Sequence, residues 1–254
     1  MLRHSVAGAG PDVVLLHGVG LDHTMWDRCV PPLVEAHRVT TLDLRGHGSS
    51  ATASPGTSLA DLAEDVLEVI DAVGAARVHL VGFSLGALVA AYLAGHHRDR
   101  VVTLSLVSSV ALRTPEEREA VLRRLDAAES DLSETVDAAL ARWFDETWRQ
   151  REPDLVAAVR RTMLANDPAS YLACYTVFAV GDQEVGPLLG HITAPTLAIT
   201  GSEDPGSTPE MAHRLAAAIP DSHAVVVDGA RHLLPLERPH EVTTELTKHF
   251  ERTT

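Results

Sequence analysis

Val78-His79-Leu80-Val81-Gly82-Phe83-Ser84-Leu85-Gly86-Ala87 joins a short β-rich run to an Ala- and Leu-rich segment that continues toward Leu93, with a Gly-x-Ser-x-Gly pentapeptide at the junction. Alone the pentapeptide is weak, since at this chain's Gly and Ser frequencies one arises by chance in roughly one chain in fifteen. Its setting predicts more: a strand that turns sharply into a helix, with Ser84 at the apex. A side chain at either flanking glycine would crowd neighbouring backbone, and the strained turn pushes the serine hydroxyl into a cleft. The helix that begins there aims free N–H groups and the positive end of its dipole at developing negative charge.

Outward from this junction, similar runs recur at Val13 to Leu16, Val39 to Leu44, Val102 to Ser109, Thr196 to Thr200 and Ala224 to Asp228, and read as strands buried on both faces. Helical patterns separate several of them. Ser58 with Asp61 three residues on is an N-terminal capping signal, followed by Leu62, Val66, Ile70 and Val73 at helical spacing. Alternating strand and helix predicts a mostly parallel central sheet flanked by helices, with the functional loops at the strands' carboxyl ends. From about residue 111 to 194 the alternation stops. Thr114-Pro115, Ser133, Pro153 and Pro168 each supply a helix start there, so four short helices form an inserted lid between a first core segment, 1–110, and a second, 195–254. Six of the ten aromatics fall in this stretch (Trp143, Phe144, Trp148, Tyr171, Tyr175 and Phe178), divided between a pocket wall and the insertion's own core.

A serine hydroxyl is a poor nucleophile until a base takes its proton, so Ser84 requires a histidine and a carboxylate. The run at Thr196 leads into Gly201-Ser202-Glu203-Asp204-Pro205, and the run at Ala224 into Gly229-Ala230-Arg231-His232. Each candidate therefore sits on a loop leaving a strand's carboxyl end, in the order Ser, Asp, His. Of the 14 histidines, His232 is singled out by that position; Asp204 is favoured as the acid, with Glu203 and Asp228 as alternatives. His17-Gly18-Val19-Gly20 follows the first apolar run, where a backbone N–H can stabilise an oxyanion, and this nominates Val19 and Leu85 as donors. The charges of Asp43-Leu44-Arg45-Gly46-His47-Gly48 are assigned to locking loops rather than to chemistry.

A formal charge of −14, from 21 Lys+Arg against 35 Asp+Glu, leaves no basic face for nucleic acid. Cys29 and Cys174 form no CxxC pair, which argues against zinc or redox work and predicts two small buried side chains. No metal or other cofactor is expected. MLRHSVAGAGPD has no apolar run of signal-peptide length and no stretch reaches the length of a membrane span, so the expectation is a cytoplasmic protein without membrane association.

HGVG, DLRGHGSS, GFSLGA, GSEDP and GARHLLPLERP together resemble the α/β-hydrolase superfamily over essentially the whole chain. Within it the chain is most similar to the 3-oxoadipate enol-lactonase group, through DLRGHGSS, GFSLGA, Trp143-Phe144 and APTLAITGSEDPGSTPEMAHRLAAAIP, although Ala87 stands where many relatives have a second glycine. The resemblance implies hydrolysis of a small lactone or carboxylic ester through an acyl-enzyme on Ser84. His232 would be base and then acid, Asp204 its orienting partner, and Trp143 part of the pocket wall. It also implies an anionic substrate, for whose carboxylate Arg45, Arg113 and Arg142 are nominated. The same triad suits carbon–carbon hydrolases of aromatic-ring breakdown, general carboxylesterases and cofactor-free perhydrolases. Dehalogenases and epoxide hydrolases are disfavoured because they would need an aspartate at Ser84. A non-catalytic binding protein of the same fold is disfavoured by the complete triad.

Overall fold

Each of the six apolar runs forms a strand, and a seventh precedes them. The computed structural model describes residues 1–253. In chain order the strands are β1 (His4–Ala7), β2 (Asp12–Leu16), β3 (Arg38–Leu42), β4 (Val78–Phe83), β5 (Val101–Val107), β6 (Thr196–Gly201) and β7 (Ser222–Val227). They form one sheet in the order β1-β3-β2-β4-β5-β6-β7, antiparallel only between β1 and β3. Helices flank the sheet, and the parallel register brings the carboxyl ends of β2, β4, β5, β6 and β7 to one edge. Leu16 and Leu106 both pair with Gly82, and Gly201 pairs with Val227.

The sequence reading missed β1, a four-residue edge strand whose side chains are mostly exposed, so that no apolar run marks it. It also read every strand as buried on both faces. β2 to β6 fit that description, but β7 is an edge strand and most of it is only half-buried. The helix Leu59–Ala72 begins with the expected reciprocal cap between Ser58 and Asp61 and buries Leu62, Val66 and Ile70. It packs on the helix Leu85–His96 that leaves the Ser84 turn. Both cysteines are buried and unpaired.

Between β5 and β6 the only regular elements are helical: Pro115–Ser130, Leu132–Trp143, Glu146–Arg151, Pro153–Ala165 and Pro168–Val180, then short turns at Asp182–Val185 and Gly186–His191. The expectation of four helices was too low. Thr114, Pro153 and Pro168 start helices as expected, but Asp131 rather than Ser133 caps the second. The extra helix, Glu146–Arg151, is capped by Asp145 and is too short to show an apolar period. No described helix is long and apolar enough to cross a membrane.

At the opposite, amino-terminal end of the sheet a group of histidines is held neutral. Burial pushes the His79 imidazole from an ordinary 6.5 down to about 4, with the neighbouring His37 adding to the effect. Burial likewise lowers His249 to about 4. His249 Nε2 donates to the carbonyls of Leu104 and Pro195, leaving Nδ1 buried without a partner, while the His79 ring packs on Phe250 with centroids 4.6 Å apart. Because these rings bind protons more readily once unfolded, their contribution to stability is complete above about pH 6.5 and is lost as pH falls toward 4. The urea midpoint is therefore expected to drop between pH 7 and 4.5, and to drop less steeply in His79→Gln. An unchanged slope in that variant would refute the assignment.

Candidate active site

The turn after β4 is built by contacts that exclude side chains. A Cβ on Gly82 would lie 2.2 Å from the Gly86 carbonyl oxygen, and one on Gly86 would lie 2.5 Å from the His17 oxygen and 2.6 Å from that of Leu16. With no alternative path, Ser84 adopts φ 53° and ψ −110°, the left-handed half of conformational space that a serine rarely enters. The Ser84 N–H donates to Val107 O (3.0 Å) and the Gly86 N–H to His17 O (3.1 Å), tying the turn to both neighbouring strand ends.

His17 carries that tie outward. Its Nε2 accepts the Leu44 N–H at 2.9 Å, so the proton sits on Nδ1, which donates to Gly18 O at 2.8 Å. Burial holds this imidazole below its ordinary pKa, which keeps it neutral in both roles. The ring therefore orients the Gly18 peptide and places Val19 at the cavity wall. Neither the Val19 nor the Leu85 N–H is taken by a neighbouring carbonyl among the described residues, and the Leu85 N–H opens the helix directly after Ser84. The charged loop after β3 behaves as its sequence suggested. Asp43 is buried and accepts from His23 Nδ1 (2.6 Å) and from the N–H groups of His23 and Ser49 (both 3.0 Å), while Arg45 grips Asp65 through two 2.6 Å bonds.

Asp204 and His232, 28 positions apart, are brought together: His232 Nδ1 donates to Asp204 Oδ2 at 2.7 Å, with both side chains buried. The other carboxylate oxygen accepts the N–H groups of Gly206 (2.8 Å) and Ser207 (2.9 Å), so the carboxylate is fixed at both ends. Glu203 is exposed and only 3.9 Å from Arg231, and Asp228 is exposed, so neither alternative acid holds the imidazole. Ser108, which follows β5 with φ 45°, donates its hydroxyl to the His232 carbonyl at 2.9 Å and accepts the Ser207 hydroxyl on its own carbonyl at 2.8 Å. Sequence reasoning missed Ser108, because nothing in the string marks a serine whose hydroxyl reaches a residue 124 positions away.

Ser84, Val19 and His232 line one cavity of about 660 Å³, counting its open mouth. The Ser84 hydroxyl makes no hydrogen bond to the imidazole or to any other described group. Trp143 lines the same cavity and stacks on the His232 ring at 5.5 Å between centroids and 27° between planes, while Phe83 makes a tilted contact with the imidazole at 5.1 Å. Tyr171, Tyr175 and Phe178 also face the cavity, whereas Phe144 and Trp148 stack on each other at 4.3 Å as core of the insertion. The six aromatics thus divide between wall and core.

Of the three arginines nominated for a substrate carboxylate, two are committed elsewhere. Arg45 belongs to Asp65, and Arg113 is buried against Asp182 at 2.9 Å, with Phe178 and Ala179 carbonyls at 3.2 Å. Only Arg142 of the three lines the cavity, joined by Arg124, which the sequence reading did not select. Its signal was weak, since Arg124 sits in a helix with Arg118 and Arg123 and only packing shows which of them turns inward. No group of three or more His, Cys, Asp or Glu among the described residues is arranged to hold a metal.

A model of the "Alpha/beta hydrolase family" matches residues 13–245. The chain is 30% identical over 248 residues to (E)-2-((N-methylformamido)methylene)succinate hydrolase of Acinetobacter baylyi, covering 97% of this chain and 92% of that protein. It is 32% identical over 232 residues to 3-oxoadipate enol-lactonase 1 of the same organism, covering 91% and 85%. The crystal structure of the enol-lactonase from Burkholderia xenovorans superposes with a TM-score of 0.91 at 28% identity, over 98% of this chain and 96% of that one. For the turn itself, Gly86→Ala is expected to lower unfolding free energy by about 2–4 kcal/mol, because the methyl meets fixed backbone rather than a side chain that can yield. Urea unfolding measures this, and wild-type stability in the variant would disprove the constraint.

Proposed function

The chain belongs to the alpha/beta hydrolase family, and from that premise we propose that it hydrolyses a small lactone or carboxylic ester through an acyl-enzyme on Ser84. The observation that carries this reading is the 2.7 Å bond between His232 and Asp204 beside a cavity that Ser84 also lines. Asp204 keeps the proton on Nδ1, so Nε2 has a lone pair to receive the serine proton. Ser84 Oγ attacks the substrate carbonyl as its proton passes to Nε2, and the hydrogen bond between them forms as the reacting groups close up. The tetrahedral oxyanion takes the Val19 and Leu85 N–H groups, which meet it without reorganisation because His17 and the helix start already hold them. The imidazolium then protonates the leaving oxygen, and water, deprotonated by His232, frees the acid from Ser84.

Trp143 contributes beyond shaping the wall. Its face lies over the imidazole, and a cation there gains on the order of 0.5–2 kcal/mol from the ring quadrupole, favouring the charged intermediate. The enol-lactone of 3-oxoadipate is the first natural substrate to test, since one of the similar proteins is named for that activity and another as an enol-lactonase, and its free carboxylate suits Arg142. A fluorophosphonate probe is expected to label Ser84 and to abolish p-nitrophenyl acetate hydrolysis. Ser84→Ala should fold with wild-type stability and be inactive; labelling at another residue, or turnover in that variant, would refute the reading. Asp204→Asn should lower kcat by about 10⁴-fold through loss of the productive tautomer. A loss of less than tenfold in steady-state kinetics would remove Asp204 from the proposed machinery.

A further inference from the structure

The cavity lining holds two arginines, Arg124 from the helix Pro115–Ser130 and Arg142 from Leu132–Trp143, and no Asp or Glu among the described residues. Neither guanidinium makes an ion pair or a hydrogen bond within the described protein. This is unusual in a chain with 35 acidic residues, where most other arginines near the lid are matched: Arg113 and Arg118 share Asp182, Arg123 pairs with Glu119, Arg160 with Asp137 and Arg214 with Glu117. The two cavity arginines also face each other's field. Burial, and then the charge of Arg124, hold the Arg142 guanidinium below its ordinary pKa. Charges withdrawn from water are ordinarily matched by opposite charges. A cavity carrying two unmatched positive charges and no negative one is complementary to two negative charges.

We infer that Arg124 and Arg142 form an anion subsite for two carboxylates, so that among the esters and lactones cleaved at Ser84 a dicarboxylate is bound in preference to one with a single free carboxylate, such as the enol-lactone of 3-oxoadipate. Arg142 takes the carboxylate that any anionic substrate of this site presents, and Arg124 selects for the second. This rests on the hydrolase reading only for what happens at Ser84; binding of the anion does not depend on it.

The test uses two five-carbon acids of equal length, valerate with one charge and glutarate with two, titrated into the whole protein by calorimetry at low ionic strength. Glutarate is expected to bind at least about tenfold more tightly than valerate, with the ratio shrinking in high salt. Arg124→Gln should bring the ratio to within about twofold of one while leaving valerate binding in place, and Arg142→Gln should weaken both acids. Arg124→Lys, which keeps the charge, should recover part of the preference and guards against a folding defect in Arg124→Gln. Equal binding of the two acids by wild type overturns the inference, as does a preference that survives Arg124→Gln. If Arg124→Gln weakens valerate as much as glutarate, both arginines hold one carboxylate and the dicarboxylate reading is wrong. Loss of Ser84 labelling with the binding preference intact would instead count against the hydrolase reading.

Discussion

The contact between the β4 turn and the end of β2 is the constraint on which the rest of the molecule depends. Gly86 lies so close to the Leu16 and His17 carbonyls that a methyl group has no room, and its N–H closes a hydrogen bond there. That approach forces Ser84 into an unfavourable backbone conformation, at a cost of the order of 1–3 kcal/mol that the surrounding sheet and helix sustain. The same residue, His17, uses its ring to hold the Gly18 peptide and the Leu44 N–H. The serine turn, the Val19 loop and the Asp43 loop are therefore tied together through His17.

His232 and Asp204 form a second unit, assembled on the neighbouring strand ends. Asp204 is fixed by two backbone N–H groups as well as by the imidazole, and the His232 backbone is held by the Ser108 hydroxyl. Ser108 pays for this position with its own left-handed backbone, a second strained serine one strand away from the first. The two units meet at the imidazole, which contacts both Phe83 from the sheet and Trp143 from the inserted helices. The insertion thus supplies part of the surroundings of the His232 ring and of the cavity wall.

Electrostatics divide the molecule in the same way. Its surface is strongly acidic, and the histidines beneath the sheet are kept neutral by burial, yet the cavity has a positive lining. Arg113 shows what a structural arginine looks like in this protein, with its guanidinium enclosed by Asp182 and main-chain carbonyls. Arg124 and Arg142 differ in lining the cavity without a carboxylate partner of their own.

The string of residues by itself determined the alternation of strand and helix, the glycine-flanked serine, and the order of serine, aspartate and histidine on loops at strand ends. Those features are local: each depends on spacing, on turn chemistry or on what a glycine permits, and a single segment displays them. What only the tertiary structure decided is which side chains meet. The edge strand β1 was hidden because exposure removes the apolar pattern, and the helix after Asp145 because it is too short for one. Choosing Asp204 over Glu203 and Asp228, releasing Arg45 and Arg113 from a substrate role, and adding Ser108 and Arg124 all turned on contacts between segments 20 to more than 100 residues apart. A side chain's partner across such distances is set by how the sheet and the inserted helices pack, and no neighbouring letter in the sequence records it.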